Sequence, residues 1–388
     1  MRQPRVVRLL TFTSLYPNAL QPAHGLFVER RLAKVVEKGA TAAIVVAPVP
    51  FWWQRRGRGL PRVEQRLGLT VHHPRFFTIP GLGRFLAPFT MFLSSIALVR
   101  SLNRANQFDV IDAHYLYPDG VAAALLSRAL NVPLIVTARG TDVNVLPNYR
   151  FSRLLILWAT RIACHVVTVS EALRRRLIEL GVDSHKVTTL RNGVDTEVFR
   201  PRDRELCRTR VQVCGSLVLL SVGNLVEAKG HDVAMGALRY LPGAHLVIVG
   251  NGRDREALRA KAAELGVSDR VRFTGVQDQD QLIDYYNAAD VLVLASRREG
   301  MPNVVLEALS CGLPVVATRC GGIPEVLVRA EQGRLVSTRN PEDFAKAILA
   351  VMANGTARGA VREASLDLDW DTIAERQSQM YVRHGLGI

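Results

Sequence analysis

The sequence predicts an α/β fold: two domains, each a parallel sheet sandwiched between helices. Three observations carry this. Short β-branched runs alternate with helix-period segments from end to end. The strand runs are apolar without interruption, as in "LVLLSVG" (217–223) and "HLVIVG" (245–250), the pattern of strands buried on both faces. And 388 residues, 48 % of them hydrophobic, suffice for two cores of ordinary size.

In chain order, the first half offers strands at 5–12, 41–48, 108–114, 132–138, 163–170 and 187–190. Helices are expected at 26–38, 120–130 and 170–180. The second half offers strands at 216–222, 244–250, 271–275, 290–295, 314–318 and 333–336, with helices at 253–265, 281–288 and 303–311. The break falls near 191–216, where "RNGVDTEVFRPRDRE" supplies turn residues, a proline and mixed charge. Expected boundaries are therefore 1–195 and 196–365. Residues 366–388 form an acid-capped helix, "LDWDTIAERQSQMYV", expected to return to the first domain. Such sheets bind ligands at the carboxyl ends of their strands. Two facing sheets would place a site in the cleft between them.

Charge separates the halves. The net charge is +15; residues 1–200 hold 27 basic and 12 acidic side chains, and the remainder hold 23 of each. Composition excludes a disordered chain, a collagen-like repeat and a small disulfide scaffold. Five cysteines stand singly, with no metal-ligand spacing, and read as reduced core thiols in a reducing compartment. The first residues show no apolar region followed by a cleavage site. The longest apolar stretch, 85–99, has fifteen residues against the roughly 20 a bilayer span needs, so a soluble or peripheral protein is expected. Within "FWWQRRGRGLPRVEQRL" (51–67), Phe51, Trp52 and Trp53 stand beside Arg55, Arg56, Arg58, Arg62 and Arg66. Arginines beside aromatics suit anionic head groups, with 85–99, bounded by Arg84 and Arg100, as an apolar wedge. The alternative is a solubilising basic surface over a buried helix. No nucleic-acid-binding motif accompanies the charge.

The chemistry concentrates in "SRREGMPNVVLEALSCGLPVVAT" (296–318). A strand ends in a loop that turns into a helix, with Pro302 suited to the first turn. The first-turn amides, Met301 to Val304, then present the positive end of the helix dipole, an anion site without a cationic side chain. Glu299 precedes the helix and Glu307 lies inside it, roughly 7–8 Å along the axis from Pro302 at ~1.5 Å per residue. Their carboxylates can take hydroxyls on either side of a bound phosphate. A second segment, "LLSVGNLVEAKGHDV" (219–233), places Lys229 and Gly230 after a glycine turn, where the ammonium would meet phosphate oxygens. A third, "VIVGNGRDREAL" (247–258), carries two glycines of a dinucleotide fingerprint and lacks the third; a tight strand-to-helix turn explains it equally well.

These segments resemble the nucleotide-sugar domain of family 4 glycosyltransferases, enzymes of the GT-B fold. The features are the Glu299/Glu307 pair, "GLPVVATRCGGIPEV" (312–326), "VGNLVEAKG" (222–230) and "NGVDTEVFRP" (192–201). The first half fits more loosely, through "HGLFVERRLAKV" (24–35), "DAHYLYPDG" (112–120) and "TARGTDVN" (137–144). The resemblance implies two Rossmann-like domains and sugar transfer from a nucleoside diphosphate donor with retention of configuration, requiring neither metal nor other cofactor. It further implies that Glu307 holds the ribose and Glu299 the transferred sugar, and that Lys229 neutralises the diphosphate with help from Gly300, Met301, Pro302 and Asn303. Gly25 would approach the diphosphate and acceptor, Gly275 and Val276 would border the base, and His114 would lie near the transferred sugar. The implied partners are a nucleoside diphosphate sugar, a glycan or lipid-linked acceptor and an anionic membrane surface, with no nucleic acid. The implied place is the cytoplasmic face of the plasma membrane, in cell-surface polysaccharide synthesis.

Two positions depart from the family pattern. Asn224 stands where an arginine is frequent, with Arg297 and Arg298 as candidates to compensate; Arg139 stands where the family has a histidine. The Asp-x-Asp pairs at 278/280, 367/369 and 369/371 each precede a helical stretch and read as dipole complements, not metal ligands. A nucleotide-sugar epimerase is the alternative enzyme; a Rossmann dehydrogenase would need a full early glycine fingerprint.

Overall fold

The computed structural model describes residues 6–22, 24–51, 59–78 and 83–387. The chain forms two compact units, Met1–Asn192 with Trp370–Ile388, and Gly193–Asp369. The first division comes three residues before the expected one and the second four residues after.

Unit 1 carries β1 (Val7–Phe12), β2 (Thr41–Val46), β3 (Val49–Pro50), β4 (Val63–Arg66), β5 (Leu69–His72), β6 (Arg75–Phe76), β7 (Val110–His114), β8 (Leu134–Ala138), β9 (His165–Thr168) and β10 (Val187–Thr189). Eight of them form one sheet in the order β10-β9-β8-β7-β1-β2-β5-β4, parallel throughout except for the edge pair β4–β5. The short β3 and β6 pair separately. Its helices are α1 (Leu26–Glu37), α2 (Gly83–Asn106), α3 (Val121–Leu130), α4 (Thr141–Asn144), α5 (Arg150–Ile162) and α6 (Glu171–Glu179).

Unit 2 carries β11 (Leu217–Val222), β12 (Ala244–Val249), β13 (Val271–Gly275), β14 (Val291–Leu294), β15 (Val315–Thr318) and β16 (Gly333–Val336), in the order β13-β12-β11-β14-β15-β16 and all parallel. Its helices are α7 (Arg204–Val211), α8 (His231–Ala237), α9 (Arg255–Glu264), α10 (Gln279–Ala288), α11 (Asn303–Ser310), α12 (Pro341–Ala353) and α13 (Arg358–Glu363); α14 (Trp370–Leu386) belongs to unit 1. Counted in chain order, unit 2 follows the doubly wound pattern 3-2-1-4-5-6. Each sheet therefore reverses direction of growth at one point, β1/β7 in unit 1 and β11/β14 in unit 2. There the loops after adjacent strands diverge and open a crevice.

The cores follow from the apolar runs. β7 and β8 are buried along their whole length, and so are β14 and β15. In unit 2, Leu219, Leu246, Ile248 and Val293 pack with Ala234, Leu238, Phe344 and Ile348. In unit 1, Val7, Leu9 and Val110 pack with Val28, Leu32 and Val35 of α1 and with Trp370, Ile373, Ala374 and Tyr381 of α14. The apolar face of the last helix covers this sheet.

Several expectations change. The 85–99 stretch belongs to a helix of 24 residues, and its part Phe85–Asn106, whose most apolar 18-residue window has mean hydropathy 1.6, suffices by length and composition to cross a membrane. Length therefore does not exclude a span, because the polar residues after Val99 extend the helix unbroken. What ties α2 into unit 1 is a buried line through Ala87, Met91, Ser95 and Val99. Residues 63–72 form a hairpin at the sheet edge, and α5, α7 and α12 fill intervals the sequence reading left unassigned. Of the basic-aromatic segment, Trp52, Trp53, Arg55, Arg56 and Arg58 lie outside the described residues. Arg66 does not face solvent freely: its Nε lies 2.6 Å from Oε1 of the buried Glu29.

Candidate functional site

Both switch points carry the predicted side chains, and each unit holds its own set. In unit 2, β11 runs into the loop 223–230. Gly230 ends that loop at φ +71°, and a Cβ there would stand 2.0 Å from the carbonyl oxygen of Ala295. Only glycine lets the Lys229 turn press against the end of β14. His231 fastens the turn from beneath: Nδ1 lies 2.9 Å from Ser221 Oγ and Nε2 3.2 Å from the carbonyl of Asn224. Burial lowers His231 to about 4, so it is a neutral strut.

Lys229 Nζ donates to Glu299 Oε1 at 2.6 Å. Ser296 Oγ donates to the same oxygen at 2.7 Å. Glu299 is buried while Lys229 keeps about a quarter of its side chain exposed, so the ammonium still reaches solvent. The segment is held from the next strand as well, where Thr318 Oγ1 donates to the Ser296 carbonyl at 2.6 Å. Gly322 N–H donates to the Gly300 carbonyl at 2.8 Å.

The helix α11 starts at Asn303, as expected, and Pro302 stands just before its first turn rather than in it. Pro302 is its N-cap, with extended backbone (ψ 113°), and no side chain caps the end. Proline lacks a hydroxyl or carboxylate to accept the first-turn amides, so the positive end of the dipole is left to an outside anion. Met301 and Pro302 are buried, and Asn303 is partly so. One turn in, the half-buried Glu307 accepts at Oε2 from the hydroxyl of the buried Tyr286 at 2.8 Å. Gly275 closes β13 with φ +80° and open space around it. Val276 beside it is 65 % exposed, an apolar surface for a flat ligand. Asn224 is exposed. Of the compensating arginines, Arg297 pairs with Glu227 at 2.7 Å and Arg298 is exposed.

In unit 1 the predicted residues are held differently. Gly25 caps α1 at φ +73°, and a Cβ there would stand 2.3 Å from the Leu15 carbonyl oxygen, so the loop after β1 folds tightly onto the helix start. His24 Nε2 lies 3.2 Å from the Ser14 carbonyl. Asp119, wholly buried, accepts the Ser14 amide, and burial raises its carboxyl to about 7.

His114 ends β7 and is 1 % exposed. Arg139 Nη2 lies 2.7 Å from its Nδ1, and Asp112 Oδ2 lies 2.9 Å from its Nε2. A guanidinium only donates, so Nδ1 is the acceptor and Nε2 carries the proton, facing the carboxylate. Burial lowers His114 to about 4 against the pull of Asp112; the imidazole is neutral. Burial works to raise Asp112, and His114, Tyr381 and Arg31 outweigh it and hold the carboxyl low. Arg31 itself is fully buried and donates from Nε to Gln377 of α14. Arg139 also donates to Asn192 at 2.9 Å and lies over the Phe27 ring at 4.7 Å. Asp142 accepts the amides of Leu116, Arg139 and Gly140, which pins the loops after β7 and β8 together. The departure at Arg139 thus places a cation against the predicted histidine.

Each Asp-x-Asp pair has at least one acid occupied: Asp278 caps α10 with a reciprocal Gln281 bond, Asp369 accepts from Thr196, and Asp371 lies 3.0 Å from Lys38. No group of three potential metal ligands occurs among the described residues. All five cysteines are unpaired thiols.

Sequence reasoning missed Ser296, Tyr286, Arg31, Asp112 and Tyr381. Asp112 was within reach, since it lies two residues before His114 on one strand and so on the same face. Arg31 and Tyr381 come from helices at opposite ends of the chain and carry no local signal.

The family model described as Glycosyl transferases group 1 matches residues 212–366, and Glycosyltransferase Family 4 matches 52–198. TuaC of Bacillus subtilis, named for teichuronic acid biosynthesis as a glycosyltransferase, is 30 % identical over 365 residues, 88 % of each chain. A D-inositol 3-phosphate glycosyltransferase of Acidothermus cellulolyticus is 31 % identical over 73 % of this chain and 69 % of its own. Among solved structures, sucrose-phosphate synthase from Thermosynechococcus elongatus superposes with a TM-score of 0.85 at 20 % identity, covering 99 % of this chain and all of its own. Anabaena HepE in complex with UDP gives 0.75, also at 20 % identity, over 97 % of this chain and 99 % of its own.

Proposed function

The chain belongs to the group 1, family 4 glycosyltransferases of GT-B fold, and from that premise we propose that it moves a sugar from a nucleoside diphosphate donor to a glycan or lipid-linked acceptor with retention of configuration. One observation carries the reading. An ammonium on a glycine turn, a buried carboxylate and an uncapped helix N-terminus occupy the loops of one switch point.

As the glycosidic bond breaks, the sugar gains oxocarbenium character and the diphosphate gains negative charge. Lys229 and the α11 amides supply the countercharge, without a divalent ion. Glu299, oriented by Ser296, holds hydroxyls of the transferred sugar. Glu307, oriented by Tyr286, holds the ribose, and Val276 covers the base. To reach the diphosphate, Lys229 shares its protons between Glu299 and phosphate oxygen. His114, neutral, buried and bonded through both ring nitrogens, shapes the end of β7 rather than offering a charge to the acceptor. The reaction requires no cofactor. The name of the Bacillus relative supports a role in cell-surface polysaccharide synthesis. The basic first half supports work at the anionic cytoplasmic face of the plasma membrane, with no nucleic-acid partner.

Thermal shift against UDP- and GDP-sugars, followed by NMR of the product anomer, tests the reading. A nucleotide sugar should raise the melting temperature, and Glu307→Ala should abolish most of that rise. Inverted product, or activity lost in chelator and restored by manganese, overturns it.

A further inference from the structure

The 24 residues of α2 bury one line of side chains and leave another in solvent. Leu86, Phe89 and Leu93 are exposed, Leu93 by 68 %. At helical spacing the same line continues through Ala97 to the exposed Arg100 and Arg104. The start of α5 adds to it. Phe151 meets Phe85 edge to face with ring centroids 5.5 Å apart. Beyond that contact, Tyr149, Phe151 and Leu154 are exposed, Leu154 by 68 %. Arg150, Arg153 and Arg161 are exposed on the same helix. Neither helix contains an aspartate or glutamate.

A soluble surface normally mixes charge signs and scatters its large apolar groups. Here apolar groups are grouped and every charged residue of the two helices is positive. The occupant that fits both features is a bilayer rich in anionic head groups: acyl boundary for the leucines and phenylalanines, phosphate for the arginines. A buried protein partner would pair the arginines with acids but would not need them spread along two helix flanks. Crossing the bilayer is incompatible with the buried line of Ala87, Met91, Ser95 and Val99, so the helix lies along the interface rather than through it.

We propose that the exposed faces of α2 and α5 dock unit 1 on an anionic lipid surface. This rests on the membrane reading above: it keeps the 85–99 wedge and adds α5 to it. The edge hairpin contributes less than its composition suggests, since Arg66 is held by Glu29.

Flotation with vesicles of 30 % phosphatidylglycerol in phosphatidylcholine, against phosphatidylcholine alone, tests the proposal. Wild-type protein should float with the anionic vesicles at low salt. Leu93→Ser with Leu154→Ser should reduce recovery about tenfold, with unchanged donor-induced thermal shift as the check on folding. Arg100→Gln with Arg104→Gln should weaken binding at low salt and flatten its salt dependence. As an independent readout, Leu93→Trp should gain quenching by brominated lipid, and Leu349→Trp, exposed on α12 of unit 2, should not. If wild-type protein floats and these changes leave it unaffected, the surface is wrong and the membrane reading survives. If wild-type protein does not float, both fall. A dimer in sedimentation that the leucine changes dissociate would assign the face to a second copy and overturn the proposal.

Discussion

The two switch points use charged groups in opposite ways. In unit 2, Lys229 and Glu307 keep access to solvent and are bonded to Glu299 and Tyr286, on a turn and a helix set by local sequence. In unit 1, His114, Asp112 and Arg31 are sealed, and the chain that fixes them runs from β7 through α1 to α14. Groups that must meet a charged ligand stay partly hydrated until it arrives. Groups that hold a shape can be buried completely, because their partners never leave. The first arrangement spends charge on binding; the second spends it on one tautomer of one histidine.

The largest expected effect tests the sealed side. Asp112→Ala leaves Arg31 and the His114 N–H facing no carboxylate in the interior, and removing one partner of a buried pair costs about 3–5 kcal/mol. Urea unfolding followed by hydrogen exchange should show this loss confined to unit 1. Equal loss in unit 2 would break the distinction. On the open side, Lys229→Ala should lower kcat by roughly 10²–10³-fold with a change in melting temperature of no more than a few degrees, because its ammonium is partly hydrated. A stability loss as large as that of Asp112→Ala would make Lys229 a structural residue.

A smaller effect sharpens the contrast through pH. His231 in unit 2 is lowered by burial to about 4, below its value near 6.5 in the unfolded chain. Its contribution is present above pH 6.5 and is lost as pH falls towards 4, about 2 kcal/mol between pH 7 and pH 5. In unit 1, His114 and His165 are lowered to about 4 by burial and act in the same direction. Asp119, raised to about 7 by burial, opposes them: its ionisation destabilises the fold as pH rises from about 4 to 7, so acid restores that part. Asp119→Asn should therefore steepen the acid loss of unit 1 and leave unit 2 unchanged, read by the same exchange experiment at the two pH values.

Much of the open site was legible. Glu299, Pro302 and Glu307 stand at fixed spacing after an apolar run, so their chemistry is written within a dozen residues. Lys229 and Gly230 follow a strand in the same way, and the Cβ that Gly230 lacks accounts for the glycine. The long α2 was read short because apolar periodicity stops at Val99 while helical backbone does not. The hairpin at 63–72 was missed because β4 lies at the edge with neither face buried, and β5 offers only Leu69 and Val71 as a buried alternation.

The sequence by itself determined the two parallel sheets, nearly every strand in them and the placing of Lys229, Glu299 and Glu307 at the loops of one sheet, since apolar runs and turn residues act over short range. Only the tertiary structure decided that His114 is neutral and pointed one way, because its state depends on Arg139 from the next strand, Asp112 beside it and α1 and α14 stacked above. It also decided which line of α2 is buried. A helix apolar on every side has no preferred face until a neighbour packs against one, and packing is a property of the whole unit.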